Sequence, residues 1–205
     1  MKPILFNAEM VRAILEGRKT VTRRVVKPQP AGDGSAPEPL KTRPGYWNSW
    51  GDDNVYRPPY QPGDILWVRE TWAKIWYADQ NGCTHYDQPM YYYAADGTPD
   101  VTLVDEDGFE KDDQRIRWRP SIHMPREAAR IFLRVTGVRV ERLQDISYAD
   151  VIAEGIPAGH AENTKFMALW DGTMKREDRN RYGWDVNPWV WVFDFERISK
   201  EEAEQ

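Results

Sequence analysis

Apolar positions change period several times along this chain. In "AEMVRAILE", residues 8–16, Met10, Val11, Ile14 and Leu15 recur at the spacing of one helical face, and Gly17 follows as a C-terminal cap. "TVTRRVV" then switches to a strand rich in β-branched residues. After the turn Pro62-Gly63-Asp64, residues 65–70 read as a strand, and "MYYYAA", 90–95, as another. "ARIFLRVTGVRVERL", 129–143, is the longest β-type stretch, with Gly137 a bend or bulge. Ser147 caps a short helix in "SYADVIAEG" that ends at Gly155. "ENTKFMALWDG" is a second helix ended by glycine, "NPWVWVFDFERI" a final strand with alternating aromatics, and "SKEEAEQ" (199–205) a frayed polar tail.

Two stretches break this order. Eight of the fifteen prolines fall between Pro28 and Pro62, which marks 28–62 as a long irregular insertion, and loops of that kind are disordered or act as lids. Residues 96–116 form a second loop insertion. The remainder, strands separated by short helices within 205 residues, predicts a single α+β domain: a small β-barrel flanked by short helices. Periodicity alone does not exclude an open α+β sheet.

Composition narrows the setting. One cysteine, Cys83, rules out an intramolecular disulfide and fits a reducing compartment. No apolar run approaches the roughly 18 residues of a membrane helix, and Asn7 and Glu9 interrupt the N-terminus before a signal-peptide core forms. The expectation is a cytoplasmic protein without a membrane partner. Ten Trp, ten Tyr and six Phe supply core bulk in the first place, and also make stacking platforms for bases and sugars. The net charge of −5 disfavours a non-specific nucleic-acid binder. Residues 100–113 alone hold seven acids and one lysine, a local net of −6, which leaves +1 for the rest of the chain and room for a basic patch.

Metal and cofactor chemistry finds no foothold. His85, His123 and His160 are scattered, Cys83 and His85 lack a second pair, and zinc spacings are absent. Phosphate loop, dinucleotide fingerprint and nucleophile elbow are absent too. The expectation is no metal and no cofactor.

The chemistry-bearing stretch is "LEGRKTVTRR", 15–24, where helix hands over to strand. On a strand Thr20, Thr22 and Arg24 share one face, while Val21 and Arg23 share the other. Lys19 lies in the turn, where it can approach Thr22. A threonine hydroxyl needs a base to become a nucleophile, and a lysine is a base only when neutral. Half-neutrality near physiological pH requires a shift of about three units, roughly 4 kcal/mol, in the direction that burial and a neighbouring cation such as Arg24 both push. The same residues also read as a solvated polar strand edge. On the strand 65–70, Leu66, Val68, Glu70 and Trp72 share a face, so that Glu70 can orient a base edge and Trp72 stack on it. The other reading of Glu70 is an ion pair with Arg69 or Arg24. Glu154, before Gly155, is a further carboxylate or simply a solvated helix end.

"EGRKTVTRR" resembles the G-x-K-T-x-T-x-R signature of the ASCH family, whose fold is similar to the PUA RNA-binding domain. "PGDILWVRETW", "SIHMP", "VTGVRVERLQDIS", "AEGI" and "NPWVWVFDFERI" resemble blocks of the larger ASCH proteins often found in phages and prophages. The resemblance covers most of the chain, and the two insertions belong to this larger type. It implies a β-barrel with helices around a cleft. It also implies one of two functions. Small bacterial members hydrolyse N4-acetylcytidine to cytidine and acetate with a lysine, a threonine and a glutamate. These fall on Lys19, Thr22 and Glu154, with Arg24 closing the signature. Other members are described as RNA-binding or RNA-cleaving. The first implication is a metal-independent amidohydrolase of N4-acylated cytosine nucleosides. In it Thr22 is the nucleophile, Lys19 the base, Glu154 a support, and Arg24, Glu70 and Trp72 hold the substrate. The alternative is an RNA-binding module with or without ribonuclease activity. Strand parity places Arg23 away from Thr22, so Arg23 is expected to matter little to hydrolysis.

Overall fold

The computed structural model describes residues 1–31, 37–40, 43–49, 52–78 and 84–205, with the backbone alone for 39, 49, 52, 53 and 84–89. Cys83 lies outside the described residues, as does the side chain of His85. Within them, no helix is long and apolar enough to cross a membrane.

Five strands build the main sheet, in the order β1 (Lys2–Leu5), β6 (Ile65–Arg69), β10 (Phe132–Arg142), β11 (Trp189–Ile198) and β2 (Val21–Val25). Pairing is antiparallel except between β1 and β6. A three-stranded sheet of β3 (Glu38–Pro39), β4 (Trp47–Ser49) and β5 (Asp52–Tyr56) leans on it, and a third sheet joins β8 (Thr84–Tyr93), β7 (Trp72–Ala78) and β9 (Thr102–Val104). The helices are short: α1 (Ala8–Leu15), α2 (Tyr148–Ala153), α3 (Glu162–Gly172), α4 (Arg176–Tyr182) and α5 (Lys200–Glu204).

The fold is thus mixed α and β, mostly sheet, as the strand pattern predicts, but the sheets are open and the expected closed barrel is not formed. β1 and β2 are the two edges of the main sheet, and no ladder joins them among the described residues. What bridges their ends is a side chain: Arg24 Nη2 donates to the carbonyl of Leu5 at 3.1 Å.

Alternation on β11 explains the layering. Trp189, Trp191, Phe193 and Phe195 face one layer, with Leu66, Val68 and Leu133 from neighbouring strands and Val11 and Ile14 from α1. Val190 and Val192 face the other, with Val21 of β2, Val151 of α2 and Phe166 and Trp170 of α3. A strand buried on both faces needs apolar residues at successive positions, and β11 has them from Trp189 to Phe193. The bulge expected at Gly137 is present: the β10–β11 register shifts between Val135 and Gly137.

Three expectations change. The 28–62 insertion contains the β3–β4–β5 sheet, and Trp47, Tyr56 and Tyr60 pack on the main core, Tyr60 edge-on to Phe193 at 5.2 Å. The 96–116 loop contributes β9, which pairs with β7. Neither element shows in the sequence, because a strand of two or three residues carries no period and forms only where a partner edge awaits it. The 199–205 tail holds α5. Ser199 and Glu202 form a full capping box, and Ala203 is buried beside Phe132 and Ile198. A cap of that kind contributes about 1 kcal/mol. Deleting 199–205 is therefore expected to lower the midpoint of thermal or urea unfolding. An unchanged midpoint would return the tail to a frayed, idle end.

Candidate active site

The turn after α1 decides where Lys19 goes. Gly17 takes a φ of +75°, and the N–H groups of Arg18 and Lys19 both donate to the carbonyl of Ala13. This folds residues 18–20 against the end of α2, where Lys19 and Glu154 form an isolated antiparallel bridge and Thr20 N–H donates to Ala153 at 2.9 Å. Gly155 closes α2 with a φ of +97°. A Cβ there would stand 2.8 Å from Ala13 Cβ and 3.2 Å from Lys19 Cβ, so only glycine lets the three segments meet.

The Lys19 side chain is 0% exposed and that of Glu154 is 4% exposed. Lys19 Nζ donates to Glu154 Oε2 at 2.6 Å, to the Val21 carbonyl at 2.8 Å and to the Glu154 carbonyl at 2.9 Å. Three acceptors match the three hydrogens of an ammonium. Burial pulls the Lys19 pKa below its ordinary 10.5. Glu154 opposes that pull, and Arg24 and Arg23 add to it. The amine is therefore held in a site that solvates its charged form locally yet lowers the cost of losing a proton.

Thr22 and Arg24 share a face as strand parity predicts. Thr22 is buried, and Arg24 Nη1 donates to its Oγ1 at 3.0 Å. Arg24 also lies over the Phe6 ring at 5.5 Å, as does Lys19 Nζ from its own position. Burial lowers the Arg24 pKa, though a guanidinium stays protonated in any case. No direct bond links Lys19 to Thr22.

Arg23 is where parity misleads. Its side chain is 1% exposed, and Nη1 donates to Glu154 Oε1 at 3.2 Å. It also pairs with Glu141 and, at 3.3 Å, with Asp150. Arg139 continues this network to Asp150 and Asp194. β2 is an edge strand whose open side is covered by the end of α2, so one carboxylate reaches residues from both faces. Arg23 thus belongs to the site, contrary to the expectation from alternation.

Above these residues lies a cleft of about 790 Å³ between β2, the α1 N-terminus and α3, within the size range of small-molecule sites. A recess of about 30 Å³ shares Met10, Arg23, Arg24, Leu169, Trp170 and Thr173 with the cleft and adds Thr22 and Glu154. Thr22 and Glu154 thus line the recess and not the cleft itself, and Lys19 lines neither. Phe166, Leu169, Trp170 and Thr173 reach the recess from one stripe of α3, a spacing visible in "FMALWDGT".

Glu70 and Trp72 are not brought there. Glu70 is clasped by Arg130 through two bonds of 2.9 and 3.0 Å, and Arg130 is shared with Asp96. Burial pushes the Glu70 pKa up against that pairing. Trp72 packs with Met124, Ala128, Phe132 and Ile198 in a separate cluster. From that stretch it is Thr71, on the opposite parity, that reaches the cleft wall. The ion-pair reading of Glu70 holds, with Arg130 rather than Arg69 or Arg24 as partner. None of the described residues of 28–62 lines the cleft, so those residues do not act as its lid.

Comparisons of the chain with protein-family models, curated proteins and solved structures give no match.

Removing one partner of a buried ion pair typically costs 3–5 kcal/mol, whereas replacing both with apolar groups is often neutral. Glu154→Ala, which leaves Lys19 and Arg23 facing each other, is expected to lose about that much in urea unfolding. Lys19→Met with Glu154→Leu is expected to recover most of it. Equal losses in the single and double variants would show that the pair itself stabilises the fold. Gly155→Ala is expected to lose about 1–3 kcal/mol through its backbone conformation alone.

Proposed function

We propose that this chain is an ASCH-type, PUA-like domain acting as a metal-independent amidohydrolase on N4-acylated cytosine nucleosides. The observation that carries the reading is the buried Lys19–Glu154 contact of 2.6 Å beside a small recess, lined by Thr22, that adjoins a nucleoside-sized cleft. A lysine so buried and paired with a carboxylate, with a threonine hydroxyl lining the adjoining recess, fits the chemistry of an activated nucleophile.

In this reading the pair first exchanges a proton: Lys19 Nζ gives one to Glu154 Oε2 and becomes a neutral amine. Thr22 Oγ1 then attacks the acyl carbon, and its proton passes to Nζ as the alkoxide forms. Arg24, which already donates to Oγ1, carries the developing negative charge. The C–N bond breaks, the N4 amine leaves with the proton from Lys19, and the acyl group stays on Thr22. Water, deprotonated by Lys19, then releases the carboxylic acid and restores the hydroxyl. Arg23 holds Glu154 Oε1 throughout, which orients the carboxylate.

The alternative, an RNA-binding module with or without ribonuclease activity, has one observation on its side: among the described residues, cations and no carboxylates line the cleft.

With N4-acetylcytidine and ultraviolet absorbance as the readout, Thr22→Ala and Lys19→Met are each expected to lower kcat by at least about 10³-fold, with the fold checked by circular dichroism. Near-normal turnover in Thr22→Ala would exclude covalent catalysis there and leave Lys19 to activate water. Since Lys19 must be deprotonated and burial lowers its pKa, kcat/KM is expected to rise with pH and level off below 10.5. A rate flat from about pH 6 to 10 would remove Lys19 as the titrating base. Exhaustive chelation is expected to leave the rate unchanged. A loss restored by zinc would point to His123 and the Cys83–His85 stretch.

A further inference from the structure

The outer cleft differs in charge from the chain around it. The protein carries −5 overall, yet among the described residues lining the cleft are Arg23, Arg24 and Lys27 and no aspartate or glutamate. Two of these cations are committed. Arg23 is spent on Glu141, Asp150 and Glu154. Arg24 donates to Thr22, to the Arg23 carbonyl and to Leu5. Lys27 is different: it has no carboxylate and no hydrogen-bond partner among the described residues. Its Nζ is held over the Tyr182 ring at 4.6 Å, which fixes its place without neutralising it.

Position adds to charge. Lys27 lies five residues beyond Thr22, two past the end of β2, about 17 Å away at 3.3 Å per residue if that stretch is extended. A base whose N4 substituent reaches Thr22 would direct its sugar towards the outer cleft, and a group on the far side of that sugar would come within reach of a lysine side chain. Thr71 and Ser121 bring hydroxyls to the same cleft, and Phe6 and Trp170 bring rings.

Resting on the hydrolase reading above, we infer that the substrate is a nucleotide rather than a nucleoside: an N4-acylated cytidine 5′-monophosphate whose phosphate is bound by Lys27. An exposed ammonium attracts a dianion without the cost of breaking an existing pair, and no aspartate or glutamate among the described residues lines the cleft to oppose it. The attraction is open to solvent and so weakens with salt.

The test compares kcat/KM for N4-acetylcytidine, its 5′-monophosphate and an oligonucleotide containing N4-acetylcytidine, in wild type, Lys27→Ala and Lys27→Arg. The expected result is at least a tenfold preference for the monophosphate over the nucleoside at low salt. That ratio should fall towards one in Lys27→Ala, persist in Lys27→Arg and shrink as salt rises. Equal rates for nucleoside and monophosphate, or a preference that Lys27→Ala leaves intact, would overturn the proposal. Faster turnover of the oligonucleotide than of the monophosphate would overturn it in favour of a polymer substrate. If nothing is hydrolysed, the hydrolase reading falls, and calorimetric binding of cytidine 5′-monophosphate against cytidine decides the phosphate site. Tighter monophosphate binding that Lys27→Ala removes supports it, and equal binding refutes it.

Discussion

A lysine ammonium and a glutamate carboxylate 2.6 Å apart, both cut off from water, set the terms for everything around them. Desolvating two charges costs several kcal/mol each, and only good geometry with further hydrogen bonds repays it. The surroundings supply those bonds: two backbone carbonyls for Lys19 and the Arg23 guanidinium for Glu154. The turn after α1, the glycine closing α2 and the first residues of β2 converge to make this possible. A fold seeking stability alone would often do as well or better with apolar side chains there.

The site's location follows from the sheet being open. β2 is an edge strand, and an edge leaves side chains accessible from the flank as well as from both faces. Residues that alternation separates, Arg23 and Thr22, can therefore line one recess together with Glu154. In a closed barrel a neighbouring strand would occupy that flank. Here the end of α2 covers part of it, and the cleft between the α1 N-terminus and α3 leaves the rest open. Arg24, reaching across to Leu5, ties the two sheet edges together while it holds the Thr22 hydroxyl.

Charge is sorted around this arrangement. The acidic stretch 100–113 lies on the β7–β8–β9 sheet and the loop after it, outside the cleft lining. Glu70 and Asp96 are taken up by Arg130, and Glu141, Asp150 and Asp194 by Arg23 and Arg139. What remains at the cleft is positive, although the chain as a whole is negative.

Much of this was legible along the chain. The periods of α1, β2, β10, β11 and α2, the bulge at Gly137 and the pairing of Thr22 with Arg24 follow from local pattern, because helix and strand repeats fix which side chains are neighbours. That Lys19 and Glu154 meet, 135 residues apart, was open to resemblance but not to periodicity. The role of Arg23, the diversion of Glu70 to Arg130 and the short strands of both insertions were decided by tertiary structure alone. Each depends on which distant segment occupies a flank, a partner's charge or a free sheet edge, and a repeat along one segment carries no information about what another segment brings to it.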